Sequence, residues 1–192
     1  MGPPEFSVVA LLASAGGLDA LSHVLAPLPA DLPAAVLVAL HQSPDAPGRL
    51  THILARRTRL AVRVATDSGV LRPGLALVVP PGRHLLVTSR ERVGLIDVGA
   101  APPARPSGDL LLATLAVTFG PRALAVILTG MGRDGQAGVR AVVHCGGTVI
   151  AQDEVSSESF GMPGAAIETE DVSQVLPLPD IAGAIMAHTA AS

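Results

Sequence analysis

Five short apolar runs constrain what this chain can fold into. They are residues 7–13, 35–40, 75–79, 123–128 and 148–151; none contains a charge, and each is followed by a polar or turn-forming residue. Runs this short are strand-sized. Continuous rather than alternating hydrophobicity marks strands buried on both faces, as in a parallel sheet covered by helices. Helical stretches fall between them. Residues 18–25 read as one helix. Residues 48–59 are amphipathic, with Leu50, Ile53 and Leu54 on one face and Arg49, Arg56, Arg57 and Arg59 elsewhere. Ser107 is a good N-cap for a helix carrying Leu110, Leu111, Leu115 and Val117, and residues 136–143 form a helix closed by Cys145-Gly146-Gly147. Pro80-Pro81-Gly82 predicts a hairpin between strands at 75–79 and 85–87, residues 92–98 a further strand, and residues 100–106 a loop. Residues 165–168, 175–178 and 181–188 complete the ordered segments.

Alternating strands and helices predict a right-handed α/β fold. The expected architecture is a three-layer, doubly wound, mostly parallel sheet flanked by helices, with a small antiparallel hairpin insertion. One domain is expected over residues 1–192. In such a sheet, sites lie beyond the carboxyl ends of the strands. Ser14, His41 and the loop 131–134 all follow strand ends, so they can converge although far apart in sequence.

Composition narrows the class. Hydrophobic residues make up 49% and aromatics 2%, with no Trp or Tyr, so the core is built from small aliphatic side chains. A nucleic-acid module would carry stacking aromatics and a basic stripe, whereas the formal net charge here is -3. Mean hydropathy is high, at +0.51. The longest uncharged apolar runs, at 6–18 and 110–120, still fall short of the roughly 20 residues a membrane span needs. The N-terminus lacks a basic region, a cleavage site and a myristoylation pattern. The single Cys145 excludes an internal disulfide and fits a reducing compartment, so a cytoplasmic protein without direct membrane insertion is expected.

Three segments carry chemistry. Leu12-Ala13-Ser14-Ala15-Gly16-Gly17 is a strand-to-helix turn of small residues around a serine, close to a nucleophile elbow. The helix N-terminus that follows offers unpaired N–H groups to an oxyanion. The same residues would also suit a simple N-cap serine. His41, at the mouth of a buried strand, is placed for a general base or for a structural hydrogen bond. The other histidines show no metal-ligand spacing. In Thr129-Gly130-Met131-Gly132-Arg133-Asp134-Gly135, closely spaced glycines permit a strained loop, and Asp134 has the chemistry to orient a histidine. Gly130, Gly132 and Gly135 also spell the dinucleotide fingerprint G-x-G-x-x-G, with Asp153 and Glu154 ending the next strand. An acid at Asp134, inside the pyrophosphate loop, opposes that reading.

Taken in order, these blocks resemble the catalytic domain of the chemotaxis receptor methylesterases, the CheB type. The resemblance covers residues 7–185. It rests on Ala13-Ser14-Ala15-Gly16-Gly17, Asp67-Ser68-Gly69, Leu71-Arg72-Pro73-Gly74, Pro80-Pro81-Gly82-Arg83-His84-Leu85, Arg105-Pro106-Ser107, Ile127 to Gly138, Ala151-Gln152-Asp153-Glu154 and Phe160-Gly161-Met162-Pro163. It implies Ser14 as nucleophile, His41 as base and Asp134 as third member of a triad. Ala15, Gly16, Met131 and Gly132 would shape the site and the oxyanion hole. The implied reaction is hydrolysis of glutamate γ-methyl esters, with glutamine deamidation as a related activity. The implied partner is a methylated chemoreceptor or related helical signalling protein, and no cofactor is implied.

The sequence departs from the family at Ala15, where Thr is usual. The family's usual receiver domain has no counterpart in these 192 residues, which leaves open a stand-alone enzyme or a catalytic piece. Two rival functions carry forward: a catalytically weak binding module of the same fold, and a dinucleotide-binding oxidoreductase. Arg56, Arg57, Arg59 and Arg63 read as a solvated face or a surface for acidic helices. Arg105 reads as a site neighbour or a loop anchor.

Overall fold

The computed structural model describes residues 6–97 and 106–190. The elements are β1 (Ser7–Ala13), α1 (Gly17–Leu25), β2 (Ala34–Leu40), α2 (Leu50–Ala55), β3 (Ala61–Val64), β4 (Leu75–Val78), β5 (Arg83–Val87), β6 (Val93–Asp97), α3 (Gly108–Phe119), β7 (Ala123–Ile127), α4 (Gln136–His144), β8 (Thr148–Gln152), α5 (Gly161–Ile167), β9 (Gln174–Leu176) and α6 (Leu178–Ala190). Seven strands form one parallel sheet in the order β3-β4-β2-β1-β7-β8-β9, and β5 pairs with β6 in a separate two-stranded sheet. The three-layer α/β expectation therefore holds.

β1 is central. The chain leaves it first for β2 on one side and later reaches β7 on the other. The order reverses there, which opens a crevice beyond the carboxyl end of β1. Residue parity divides the core. Val8, Ala10 and Leu12 join Leu112 and Leu115 of α3 and Val139 of α4 in one layer. Val9, Leu11 and Ala13 join Leu21 and Val24 of α1 and Ile185 of α6 in the other. Both faces of β1 are buried throughout, as its unbroken apolar run predicts. No helix among the described residues is long and apolar enough to cross a membrane.

The expected hairpin at Pro80-Pro81-Gly82 does not form. β4 instead lies parallel to β2, with Val36 opposite Ala76. Gly82 adopts φ 71° and turns the chain out of the main sheet. β5 then pairs antiparallel with β6, with Arg83 opposite Asp97. The tight turn lies after β5, where Thr88 N–H donates to Arg92 C=O at 3.0 Å. The antiparallel insertion is real, but it follows the proline turn. The helix expected over 48–59 is shorter, at Leu50–Ala55, and residues 165–168 belong mostly to α5. Val98, Arg105 and most of the expected loop at 100–106 lie outside the described residues.

α3 begins as expected. The Ser107 hydroxyl oxygen accepts from Leu110 N–H at 3.3 Å, which satisfies a donor the first turn would otherwise leave unpaired. The position of this helix start matters for the site.

Candidate active site

Main-chain bonds carry the strand register past the strand ends. His41 N–H donates to Ala13 C=O and Ser14 N–H to Thr129 C=O, each at 2.9 Å. Ser14, His41 and Thr129 therefore sit side by side at the carboxyl ends of β1, β2 and β7. Continued alternation from Leu12 and Ala39, both in the α3–α4 layer, directs the side chains of Ser14 and His41 to that same face. All three predicted triad residues are half-buried.

On that face, His41 Nε2 and Asp134 Oδ2 are 2.6 Å apart. Asp134 is held from behind by the start of α3: Gly108 N–H donates to Oδ2 at 2.6 Å, and Asp109 N–H to Oδ1 at 3.2 Å. A carboxylate at a helix N-terminus also meets the positive end of the helix dipole. Burial alone would raise the pKa of Asp134. The bonds from His41, Gly108 and Asp109 and the charge interaction with His41 outweigh it, and the pKa lies below the ordinary value of 3.8. An ionised carboxylate only accepts, so His41 Nε2 is the donor in this bond, and in the neutral imidazole that leaves the lone pair on Nδ1. A side chain on Gly108 would come within 3.2 Å of Asp134 Oδ2 and 2.6 Å of Leu12 Cδ1, so this approach requires glycine.

The serine turn closes through Gly17 N–H, which donates to Ser14 C=O at 2.8 Å. Gly16 caps α1 at φ 72°, a conformation that costs glycine nothing. Among the described residues, the N–H groups of Ala15, Gly16 and Met131 have no protein acceptor. Gly130 packs directly on the serine: a Cβ there would lie 2.8 Å from Ser14 Cβ and 2.5 Å from Met162 Sδ. Gly132 adopts φ 84°, and the loop it belongs to rests on the start of α5, where Met162 N–H donates to Gly130 C=O at 2.8 Å. The Met131 side chain projects to solvent, 68% exposed.

Gly130 and Gly135 of the dinucleotide-like pattern thus have roles in this geometry. One makes room for Ser14, and the other caps α4 at φ 96°. Asp134, between them, is committed to His41 and α3.

Sequence reasoning missed the scaffold behind the turn. The buried Thr129 hydroxyl accepts from Ser159 N–H at 2.9 Å and lies 2.9 Å from Ala15 C=O and 3.2 Å from Ser159 C=O, with one proton to donate between them. Gln152, also buried, accepts from Thr129 N–H at 2.8 Å and donates to Ser156 C=O at 2.7 Å. These bonds join the serine turn to the loop after β8. Glu158 of that loop packs over Gly16. The sequence signal was faint: Thr129 lies just past the end of β7 and Gln152 ends β8.

A family model described as CheB methylesterase matches residues 9–185. A relative from Moorella thermoacetica, a protein-glutamate methylesterase/protein-glutamine glutaminase, is 46% identical over 96% of this chain and 44% of its own length. The protein-glutamate methylesterase FrzG of Myxococcus xanthus is 41% identical over 96% of this chain and 55% of its own. The chain thus spans about half the length of these relatives. The crystal structure of the Thermotoga maritima CheB methylesterase catalytic domain superposes with a TM-score of 0.91 at 31% identity, covering 96% of this chain and 99% of that one.

Proposed function

The chain belongs to the CheB methylesterase family, and from that premise we propose that it is a serine hydrolase that demethylates glutamate γ-methyl esters on a chemoreceptor or related helical signalling protein. Ser14 is the nucleophile, His41 the general base and Asp134 the residue that orients it. The observation that carries this reading is the 2.6 Å contact between His41 Nε2 and an Asp134 carboxylate pinned by two N–H groups of α3. It fixes the imidazole with its basic Nδ1 turned away from the acid. The register of β1 and β2, which makes Ser14 and His41 main-chain neighbours, supports Ser14 as the group the imidazole activates.

The reaction follows from these groups. As Ser14 Oγ attacks the ester carbonyl, its proton passes to His41 Nδ1, and Asp134 stabilises the imidazolium. The N–H groups of Ala15, Gly16 and Met131 are the candidate donors to the tetrahedral oxyanion. Collapse expels methoxide, which leaves as methanol with the proton from His41. Water then attacks the acyl-serine, its proton passing to His41, and the glutamate carboxylate is released as Ser14 regains a proton. An amide would pass through the same acyl-enzyme with ammonia as leaving group, which supports deamidation as a second activity. Ala15 retains the main-chain donor at the position where the family usually has Thr, so it is compatible with catalysis.

Labelling with a fluorophosphonate probe, read by mass spectrometry, tests the reading. One adduct on the Ser14 peptide, lost in Ser14→Ala and His41→Ala, is expected. A folded protein with no adduct would favour the binding-module alternative. Methanol release from a methylated receptor fragment then tests the substrate.

A further inference from the structure

Charge in this chain is segregated by position in the sheet. Nine arginines lie between Arg49 and Asp97, against three acids, Asp67, Glu91 and Asp97. The stretch 106–190 holds nine acids and three arginines. The first stretch builds α2, β3, β4, β5 and β6, and the second builds α3 and the β7-β8-β9 side. Because β3 and β9 are opposite edges, arginines concentrate toward the β3 edge and carboxylates toward the β9 edge, although Asp19, Asp31 and Asp45 also lie in the segment before α2.

The arginine-rich flank contains a groove of about 340 Å³ lined by Arg63, Val64, Val70, Arg72 and Leu77, among others. Arg63 and Arg72 are exposed and have no carboxylate partner among the described residues, whereas Arg57 pairs with Asp19 and Arg83 with Asp97. Val64 and Val70 stand 45% and 49% exposed beside them, over a buried floor that includes Leu77. Among the described residues, β3 pairs with β4 on one side only, which leaves its other main-chain edge without a strand partner. A charge on an edge strand can act simply to block aggregation. That role explains one arginine on β3. It does not explain a second arginine, Arg72, lining the same groove outside any strand, nor the exposed aliphatic side chains of Val64 and Val70 in its lining.

We propose that this groove is a docking site for a carboxylate-rich protein segment with interspersed aliphatic residues. Arginine forks match carboxylates bidentately, and the exposed valines would bury against the aliphatic positions. An acidic segment is favoured over nucleic acid because the flank offers no aromatic side chain for base stacking. The proposal requires no assumption about what the serine site hydrolyses, and its test is a binding measurement that is independent of activity.

The probe is a fluorescein-labelled peptide of repeated Glu-Leu-Glu-Ala, titrated with the full chain and followed by anisotropy. Saturable binding is expected, weakening as salt rises. The double variant Arg63→Glu/Arg72→Glu should weaken it by about tenfold or more, equivalent to about 1.4 kcal/mol. Arg140→Glu, on α4 of the opposite side, should leave it unchanged. If the double reversal fails to fold by circular dichroism, Arg63→Gln/Arg72→Gln replaces it, with the same direction expected. Absent binding, equal weakening by Arg140→Glu, or tighter binding of a single-stranded oligonucleotide or of vesicles of phosphatidylserine would each overturn the proposal.

Discussion

His41 Nε2 lies 2.6 Å from Asp134 Oδ2, and the same oxygen takes the Gly108 N–H, also at 2.6 Å. One carboxylate oxygen thus ties the end of β2 to the start of α3. The imidazole is oriented by a group whose own position is fixed by main chain, so exchanging the acid for an amide has a defined effect.

Asp134→Asn is expected to preserve the fold and lower kcat by about 10⁴-fold, the scale seen when the orienting acid of a comparable triad becomes an amide and the histidine takes the wrong tautomer. Steady-state methanol release measures it.

The same carboxylate makes stability depend on pH. Its folded pKa lies below 3.8, so its contribution is fully present above the unfolded value and is lost as pH falls through the folded one. The wild type should therefore lose stability more steeply than Asp134→Asn as the solution is acidified below about pH 4. Urea unfolding midpoints across pH 3 to 6 measure this, and parallel curves would contradict it.

Ser14→Ala should abolish fluorophosphonate labelling and lower kcat by about 10⁶-fold, as loss of the nucleophile does in serine hydrolases. The melting temperature should barely change, because the bond from Ser14 to Thr129 uses main-chain atoms.

Gly130→Ala forces a methyl group to within 2.5 Å of Met162 Sδ and 2.8 Å of Ser14 Cβ. Overpacking of this kind costs typically about 1–3 kcal/mol. Here it also pushes the serine out of line, so activity should fall by more than the loss of folded protein accounts for. Activity per folded molecule, with folding checked by circular dichroism, separates the two effects.

Thr129→Val keeps the shape and removes the buried hydroxyl that faces Ala15 C=O and Ser159. Orphaned buried polar groups cost about 1–3 kcal/mol. Thr129→Ser should restore most of the stability. If the bond also positions the oxyanion donors, the Val variant lowers kcat with little change in KM, and Ser rescues it.

The central strands were legible because β1, β2 and β7 are buried on both faces and must be apolar throughout. Their carboxyl ends then located Ser14, His41 and the glycine loop. The edge was not legible. β3 reads Ala61-Val62-Arg63-Val64 and is mostly exposed, so burial leaves no apolar run. The Pro80 turn misled because a short strand carries no mark of its partner's direction. β4 joins β2 through tertiary packing, whatever lies next in the chain. α5 begins Gly161-Met162-Pro163-Gly164, which reads as a loop. The proline is tolerated because, in the first helical turn, it lacks only an N–H that would have no partner there. Neither the grip of α3 on Asp134 nor the hydroxyl of Thr129 bridging residues 15 and 159 could be read locally, since both join segments far apart in sequence.

The site's place on the sheet has a kinetic consequence. Ser14 and His41 are sealed by bonds that continue the ladders of β1, β2 and β7, the three innermost strands, while β3 and β9 hold one neighbour each. Fraying begins at such edges and reaches the middle last. Amide protons at the ends of the central strands should therefore exchange only when the whole molecule opens. Heat inactivation should then follow global unfolding, with no separate earlier melting of the catalytic groups.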